Sequence, residues 1–351
     1  LTAERLIKEK RMQEKAKHGK LGIIAGAGVL PARLIRFCQE TERPFCVMAL
    51  KNHAEKEKLP QDCKIQWVRI GAVGEAYRLM KSQQVTDIVM IGSVRRPSVR
   101  EIFPDWMGWR LIGKVGLGKK GDDGLLRRVI YEIEKLGFRV HGIHELMPEL
   151  LAPAGVWTEK QPTLTEQSDI RRGFLTAKLL GMADVGQSVI VQNGIVLAVE
   201  GIEGTKALIE RSKALRRKGT GGVLVKTMKP CQETRADMPT IGISTVESAF
   251  EAGLKGIAVE ADKVLATDVE GIVQKADKLG LFVVGVSETE MLSDKLVRLM
   301  SETVGEIADT ADIAGVMPSG KADGAIKRTK STEPQNADAH KKSEKKRSRK
   351  K

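Results

Sequence analysis

The sequence predicts an α/β protein of two domains joined by a linker, and three observations predict it. Short apolar runs alternate with amphipathic stretches from Leu21 to Val286, the pattern of strands covered by helices. The 351 residues exceed what one small core organises. The Pro/Gly-bearing stretch LAPAGVW interrupts the alternation near the middle of the chain.

The elements follow in order. LGIIA from Leu21 reads as a strand, Gly26 and Gly28 as a turn, and Pro31 as the first residue of a helix running to about Glu40. PFCVMAL is a second strand, a helix spans about Gly74 to Ser82, and DIVMIG is a third strand with SVRRPS as its end loop. DWMGWRLIGKVGLGKKGDDG carries six glycines between Gly108 and Gly124 and is expected to be a mobile connection. Within it Trp106 and Trp109, with Leu111 and Ile112, are expected in the core in preference to an acyl-chain surface. LLRRVIYEIEKLG is a helix and FRVHGI a strand. Strands alternating with helices in this way predict a Rossmann-like N-terminal domain with a parallel sheet over 21–150, and a linker over 151–162.

TLTEQSDIRRGFLTAKLLGMADVGQ opens the second domain as a capped helix. SVIVQNGIVLAVEG is two strands joined at Asn193-Gly194, a strong hairpin signal. Helix TKALIERSKALRRKG, strand GVLVKTM, loop KPCQETRADMPTIG, the unit TVESAFEAGLKGIAVEADKVLA and strand LFVVGV complete a C-terminal α/β catalytic domain over 163–290. A charged helical extension (1–20), a helical C-terminal segment (291–325) and a disordered basic tail (326–351) flank the two domains.

Net charge is +14, but residues 321–351 carry +8 of it and residues 1–20 carry +4, leaving +2 for the body. A nearly neutral body argues against specific nucleic-acid binding. No apolar run approaches 18 residues, so no membrane span is expected. Cys38, Cys46, Cys63 and Cys231 lack paired or metal-type spacing and fit a reducing cytosol. His141 and His144 are too few for a zinc site.

A dinucleotide fingerprint needs a third glycine and an acid at the end of the second strand. Here Pro31 holds the glycine position and the strand runs into Lys51-Asn52-His53, so an NAD(P)-dependent oxidoreductase is an alternative reading only. Asp122-Asp123 opens a helix and suits either capping or Mg²⁺. The loop VKTMKPCQETRADMPTIG carries the most chemistry. It leaves a strand with Lys226 and Lys229 and packs Gln232, Glu233, Arg235 and Asp237 between Pro230 and Pro239. Cations there can neutralise phosphate oxygens while a carboxylate holds a metal or orients water. A non-catalytic module binding a nucleotide or a membrane is the third reading.

From Leu21 to about Val286 the chain resembles the LpxI-type UDP-2,3-diacylglucosamine pyrophosphatases of Gram-negative lipid A synthesis. The resemblance rests on GIIAGAGVLP, IGSVRRP, GDDGLLRRVIYEIEKLGF with HELMPELLAPAG, DIRRGFLTAKLLGMADVGQSVIVQNGIVLAVEGIEGT, and KPCQETRADMPTIG with TVESAFEAGLKGIAVEA. It implies a cytoplasmic, Mg²⁺-dependent hydrolase that cleaves UDP-2,3-diacylglucosamine to UMP and 2,3-diacylglucosamine 1-phosphate (lipid X). It also implies a homodimer with peripheral contact at the inner membrane. By position the family's essential aspartate falls on Asp237, as metal ligand or water-orienting group. Lys226, Lys229 and Arg235 are its expected catalytic neighbours. Gly26, Gly28, Gln232, Thr205 and Arg171 are expected on the substrate, and Glu203, Asp122 and Asp123 at the metal with Asp237. Two departures stand out: Cys231 replaces the usual glycine after Lys-Pro, and Lys206 replaces the usual aspartate after Glu-Gly-Thr.

Overall fold

The computed structural model describes residues 19–95, 104–115, 122–219, 221–230 and 232–293. The expectations for residues 1–18 and for those beyond 293 lie outside this range, as does Cys231.

The first sheet holds β1 (Lys20–Ala25), β2 (Phe45–Leu50), β3 (Ile65–Val68), β4 (Val85–Ile91) and β5 (Arg139–His141), in the order β3-β2-β1-β4-β5. Every pairing is parallel, with Ile23 opposite both Val47 and Val89. Crossover helices α1 (Leu30–Glu40), α2 (Val73–Ser82), α3 (Trp106–Val115) and α4 (Asp122–Lys135) connect these strands. Both faces are covered, so the strands read as continuous apolar runs. Leu34, Ile35 and Cys38 of α1 pack with Ile23, Val47 and Val89 on one face. Met80, Ile88, Ile130 and Phe138 fill the other. The order places the topological switch point between β1 and β4. There Gly26 N donates to Ile91 O at 2.8 Å and Ala27 pairs with Ser93. A Cβ on Gly26 would stand 2.7 Å from Ser93 O, so only glycine permits this approach.

Two expectations fail in this domain. The six-glycine stretch is not wholly a connection, because α3 forms within it. Asp105 accepts from Gly108 N at 2.8 Å and from Gly74 N at 2.7 Å, pinning the starts of α3 and α2 together. This buries Gly108 and turns Trp106 and Trp109 outward, 79% and 56% exposed, so neither belongs to the core. Strand β3, IQWV, is too short at four residues to carry a periodic signal in the sequence.

After α5 (Ile143–Leu146) the chain enters the second sheet through β6 (Gly155–Val156). Within residues 151–162, expected as a linker, Gly155–Val156 form the sheet's edge strand and flanking backbone bonds tie the segment to the second domain. Ala152 N donates to Val264 O, β6 pairs with the sheet's edge, and Trp157 N donates to Val283 O. Then follow α6 (Leu164–Met182), β7 (Ser188–Gln192), β8 (Ile195–Val199), α7 (Gly204–Leu215), β9 (Val223–Lys226), β10 (Thr240–Ile241), α8 (Ile243–Glu251), β11 (Gly256–Glu260), β12 (Leu265–Ala266), α9 (Val269–Leu279), β13 (Phe282–Val286) and α10 (Glu288–Met291). The six strands run β6-β13-β11-β9-β7-β8, with β13, β11 and β9 mutually parallel and the other three antiparallel to their neighbours. Strands β10 and β12 form a separate parallel pair.

Local signals explain several of these elements. Thr163 and Glu166 form a capping box at the start of α6. Asn193 and Gly194 both take positive φ, the type I′ requirement, and Asp169 of α6 accepts from both their amides. Gly173 lets α6 approach the sheet, since a Cβ there would lie 2.5 Å from Val225 Cγ2. No helix among the described residues is long and apolar enough to cross a membrane.

Candidate active site at the end of strand β9

Strand β9 carries Val223, Leu224 and Val225 into the core and ends on Lys226, which is buried. The ladder sets Ser188 of β7 opposite Lys226, and Ser188 O accepts from Glu200 N at 2.8 Å. Pairing therefore delivers Glu200 to the strand end, while α7 delivers Thr205 from its first turn. Lys226 Nζ donates to Thr205 Oγ1 at 2.6 Å, and Thr205 Oγ1 donates to Glu200 Oε1 at 2.8 Å. Ser188 Oγ lies 3.3 Å from the same hydroxyl, and Gln187 N donates to Glu200 Oε2 at 3.3 Å. Burial pushes the Lys226 ammonium below its ordinary range, while the charges of Glu200 and Asp237 oppose that shift. One dry cation thus faces two carboxylates.

The loop after β9 brings Asp237 to this cluster through its own hydrogen bonds. Lys229 N donates to Gln232 Oε1 at 3.1 Å, Gln232 Nε2 donates to Asp237 Oδ2 at 2.8 Å, and Asp237 N donates to Glu233 O at 2.9 Å. Arg235 grips Glu233 bidentately, Nε at 2.8 Å and Nη2 at 2.9 Å. Its Nη1 reaches Glu134 of α4 at 2.9 Å, and Ala236 and Met238 pack onto the two faces of the first sheet. The loop is therefore seated where the two sheets' layers meet, a common place for a small-molecule site.

The Arg235 guanidinium holds the Glu233 carboxyl below its ordinary 4.5. A lowered folded value means that the unfolded chain binds the proton more readily, so the pair's contribution is complete above pH 4.5 and fades as pH falls through the folded value. Urea titration of Glu233→Gln against the parent should show a deficit of about 1–2 kcal/mol at pH 7 that closes in acid. A deficit independent of pH would separate the effect from ionisation.

Among the residues expected at the site, Lys226, Thr205, Gln232 and Asp237 come together. Lys229 Nζ is paired with Asp184 at 2.6 Å on the α6 side, and Arg235 serves the loop's own geometry. Glu203, expected at the metal, has both oxygens engaged, by Arg211 and by Gly201 N. Arg171 is exposed on α6, with no hydrogen bond to the cluster among the described residues. Asp122 and Asp123 open α4, and their side chains lie outside the described residues. Gly28 N donates to Glu55 Oε1 at 3.2 Å. The charge of Glu55 opposes a phosphate at that amide. Lys206 is 82% exposed and paired with Glu210 at 3.9 Å, so the departure there faces solvent.

Glu200 was missed. Its only sequence signal is an acid closing an apolar strand, which many surface residues share.

Among the described residues no three His, Cys, Asp or Glu side chains cluster as a metal cage. Mg²⁺ seldom uses one: a carboxylate or two, phosphate oxygens and water suffice. Asp237, half-buried and with Oδ2 oriented by Gln232, meets that requirement.

Residues 20–150 match the LpxI N-terminal domain family and residues 153–284 the LpxI C-terminal domain family. Among solved structures, a dCMP deaminase from the cyanophage S-TIM5 in apo form is similar over 34% of this chain and 98% of its own, at 15% identity and a TM-score of 0.22, which carries no argument. The UDP-2,3-diacylglucosamine pyrophosphatase LpxI of Caulobacter vibrioides is 39% identical over 280 residues, covering 77% of this chain and 99% of that protein. With both domain families matched in order across most of its length, the chain belongs to the LpxI family.

Proposed function

We propose that the chain hydrolyses the diphosphate of UDP-2,3-diacylglucosamine, releasing UMP and 2,3-diacylglucosamine 1-phosphate. The observation that carries this reading is the buried Lys226, bonded to Thr205 and facing Glu200 and Asp237 at a strand's carboxyl end. The activity named for the 39% identical Caulobacter relative supports the same substrate.

In the proposed reaction a water adds to one phosphorus, the bridging P–O bond breaks, and each product leaves with one phosphate. Lys226 offsets the charge that grows on the phosphate oxygens, and it does so in a site where burial strengthens the interaction. Thr205 fixes the ammonium's direction, and Glu200 fixes the hydroxyl. Asp237 orients the attacking water and accepts its proton. Asp237 would hold Mg²⁺, which would supply charge neutralisation at the diphosphate. The oxidoreductase alternative has less support, because Pro31 stands where a dinucleotide fingerprint places its third glycine and the Gly28 amide is taken by Glu55.

Mass spectrometry of the products from authentic substrate tests the proposal. Equimolar UMP and 2,3-diacylglucosamine 1-phosphate are expected, with EDTA suppressing turnover and Mg²⁺ restoring it. Absence of both products refutes the activity, and full turnover in chelator refutes the metal's part alone.

A further inference from the structure

A buried ion pair stands behind the loop that carries Asp237. Lys178 of α6 and Glu260, the last residue of β11, are 3% and 2% exposed, with Nζ 2.7 Å from Oε1. Lys178 Nζ also lies 3.9 Å from Glu288 Oε1, and the pair's remaining side-chain hydrogen bonds converge on a single residue. Glu260 Oε2 accepts from Met228 N at 2.9 Å, and Lys178 Nζ donates to Met228 O at 3.3 Å. Both backbone polar groups of Met228, two residues beyond Lys226, are thus held by the pair.

The chain ahead of Met228 is then pressed onto the same helix. A Cβ on Gly181 would lie 3.1 Å from Lys229 Cα and from Pro230 Cδ. From Lys229 the hydrogen bonds run through Gln232 to Asp237. A buried ion pair is weak evidence of stabilisation, because desolvation offsets most of its attraction and an apolar pair of similar volume is often as stable. What an apolar pair cannot supply is a donor and an acceptor to the backbone N–H and C=O of one residue.

We propose that Lys178 and Glu260 are positioning residues that set the Met228–Asp237 loop and through it the Asp237 carboxylate; this rests on the reading of Asp237 given above. The test compares Lys178→Met/Glu260→Leu, Lys178→Arg and the parent chain. The double variant is expected to keep the parent's circular dichroism while kcat for UMP release falls about 100-fold with KM little changed, the scale of a misplaced group. Peptides spanning Met228 to Asp237 should exchange amide hydrogens faster in it. Lys178→Arg, which retains charge and donors, should recover most of kcat. Parent-like kcat and exchange in the double variant would overturn the proposal, as would an unfolded double variant, which would assign the pair to the fold. Exchange is read without substrate, so a parent chain that releases no UMP defeats the functional reading while the loop data still judge the clamp.

Discussion

Asp237→Ala is expected to lower UMP release about a thousandfold, the scale lost with a positioned acid or base, while leaving the chain folded. The separation of the two effects follows from how the loop is held. Besides the clamp on Met228, its anchors are the Glu233–Arg235 fork, the Arg235–Glu134 contact, and the packing of Ala236 and Met238 on the first sheet. None of them passes through the Asp237 side chain, which among the described residues accepts one hydrogen bond, from Gln232. Losing that bond and one of the two carboxylate charges near Lys226 costs about 1–3 kcal/mol, a change that a urea titration resolves. Turnover near the parent's would remove Asp237 from the mechanism.

Lys226→Met should cost both activity and stability. The thioether keeps most of the volume but leaves Glu200 buried without its cation and Thr205 without its donor. Loss of one preorganised charge at a reacting oxyanion corresponds to about a hundredfold in kcat. Removing one partner of a buried pair costs about 3–5 kcal/mol. The Thr205 and Gln187 bonds that Glu200 retains place the expected loss at the lower bound. Measured kcat and urea midpoint together check this. A variant with reduced stability but unchanged kcat would make Lys226 structural, because the chemistry would then not draw on its charge. Lys206→Ala is the matched control: its ammonium is solvent-exposed, and neither quantity should move.

Much of the framework was legible because its signals are local. IIA, VMAL and VVGV are runs of apolar residues long enough for a strand and too short for a helix, and each became a buried strand. Thr163 with Glu166, and Asn193 with Gly194, dictate a helix start and a hairpin within four residues of chain. The site was legible in part for the same reason. Lys226, Gln232 and Asp237 share one loop, and a loop leaving a buried strand is where α/β sheets place ligands.

The sequence by itself therefore determined two α/β layers in series, the strand and helix faces, and the loop that carries the chemistry, since periodicity and turn residues act over a few positions. The tertiary structure alone decided what surrounds that loop. Glu200 becomes a partner of Lys226 only through the β7–β9 ladder, and Glu260 meets Lys178 across 82 residues of chain. It also placed Glu55 on the Gly28 amide and turned Trp106 and Trp109 away from the core. A charged side chain reads alike in sequence whether solvated or buried, and its partner and dielectric are set only when distant segments pack.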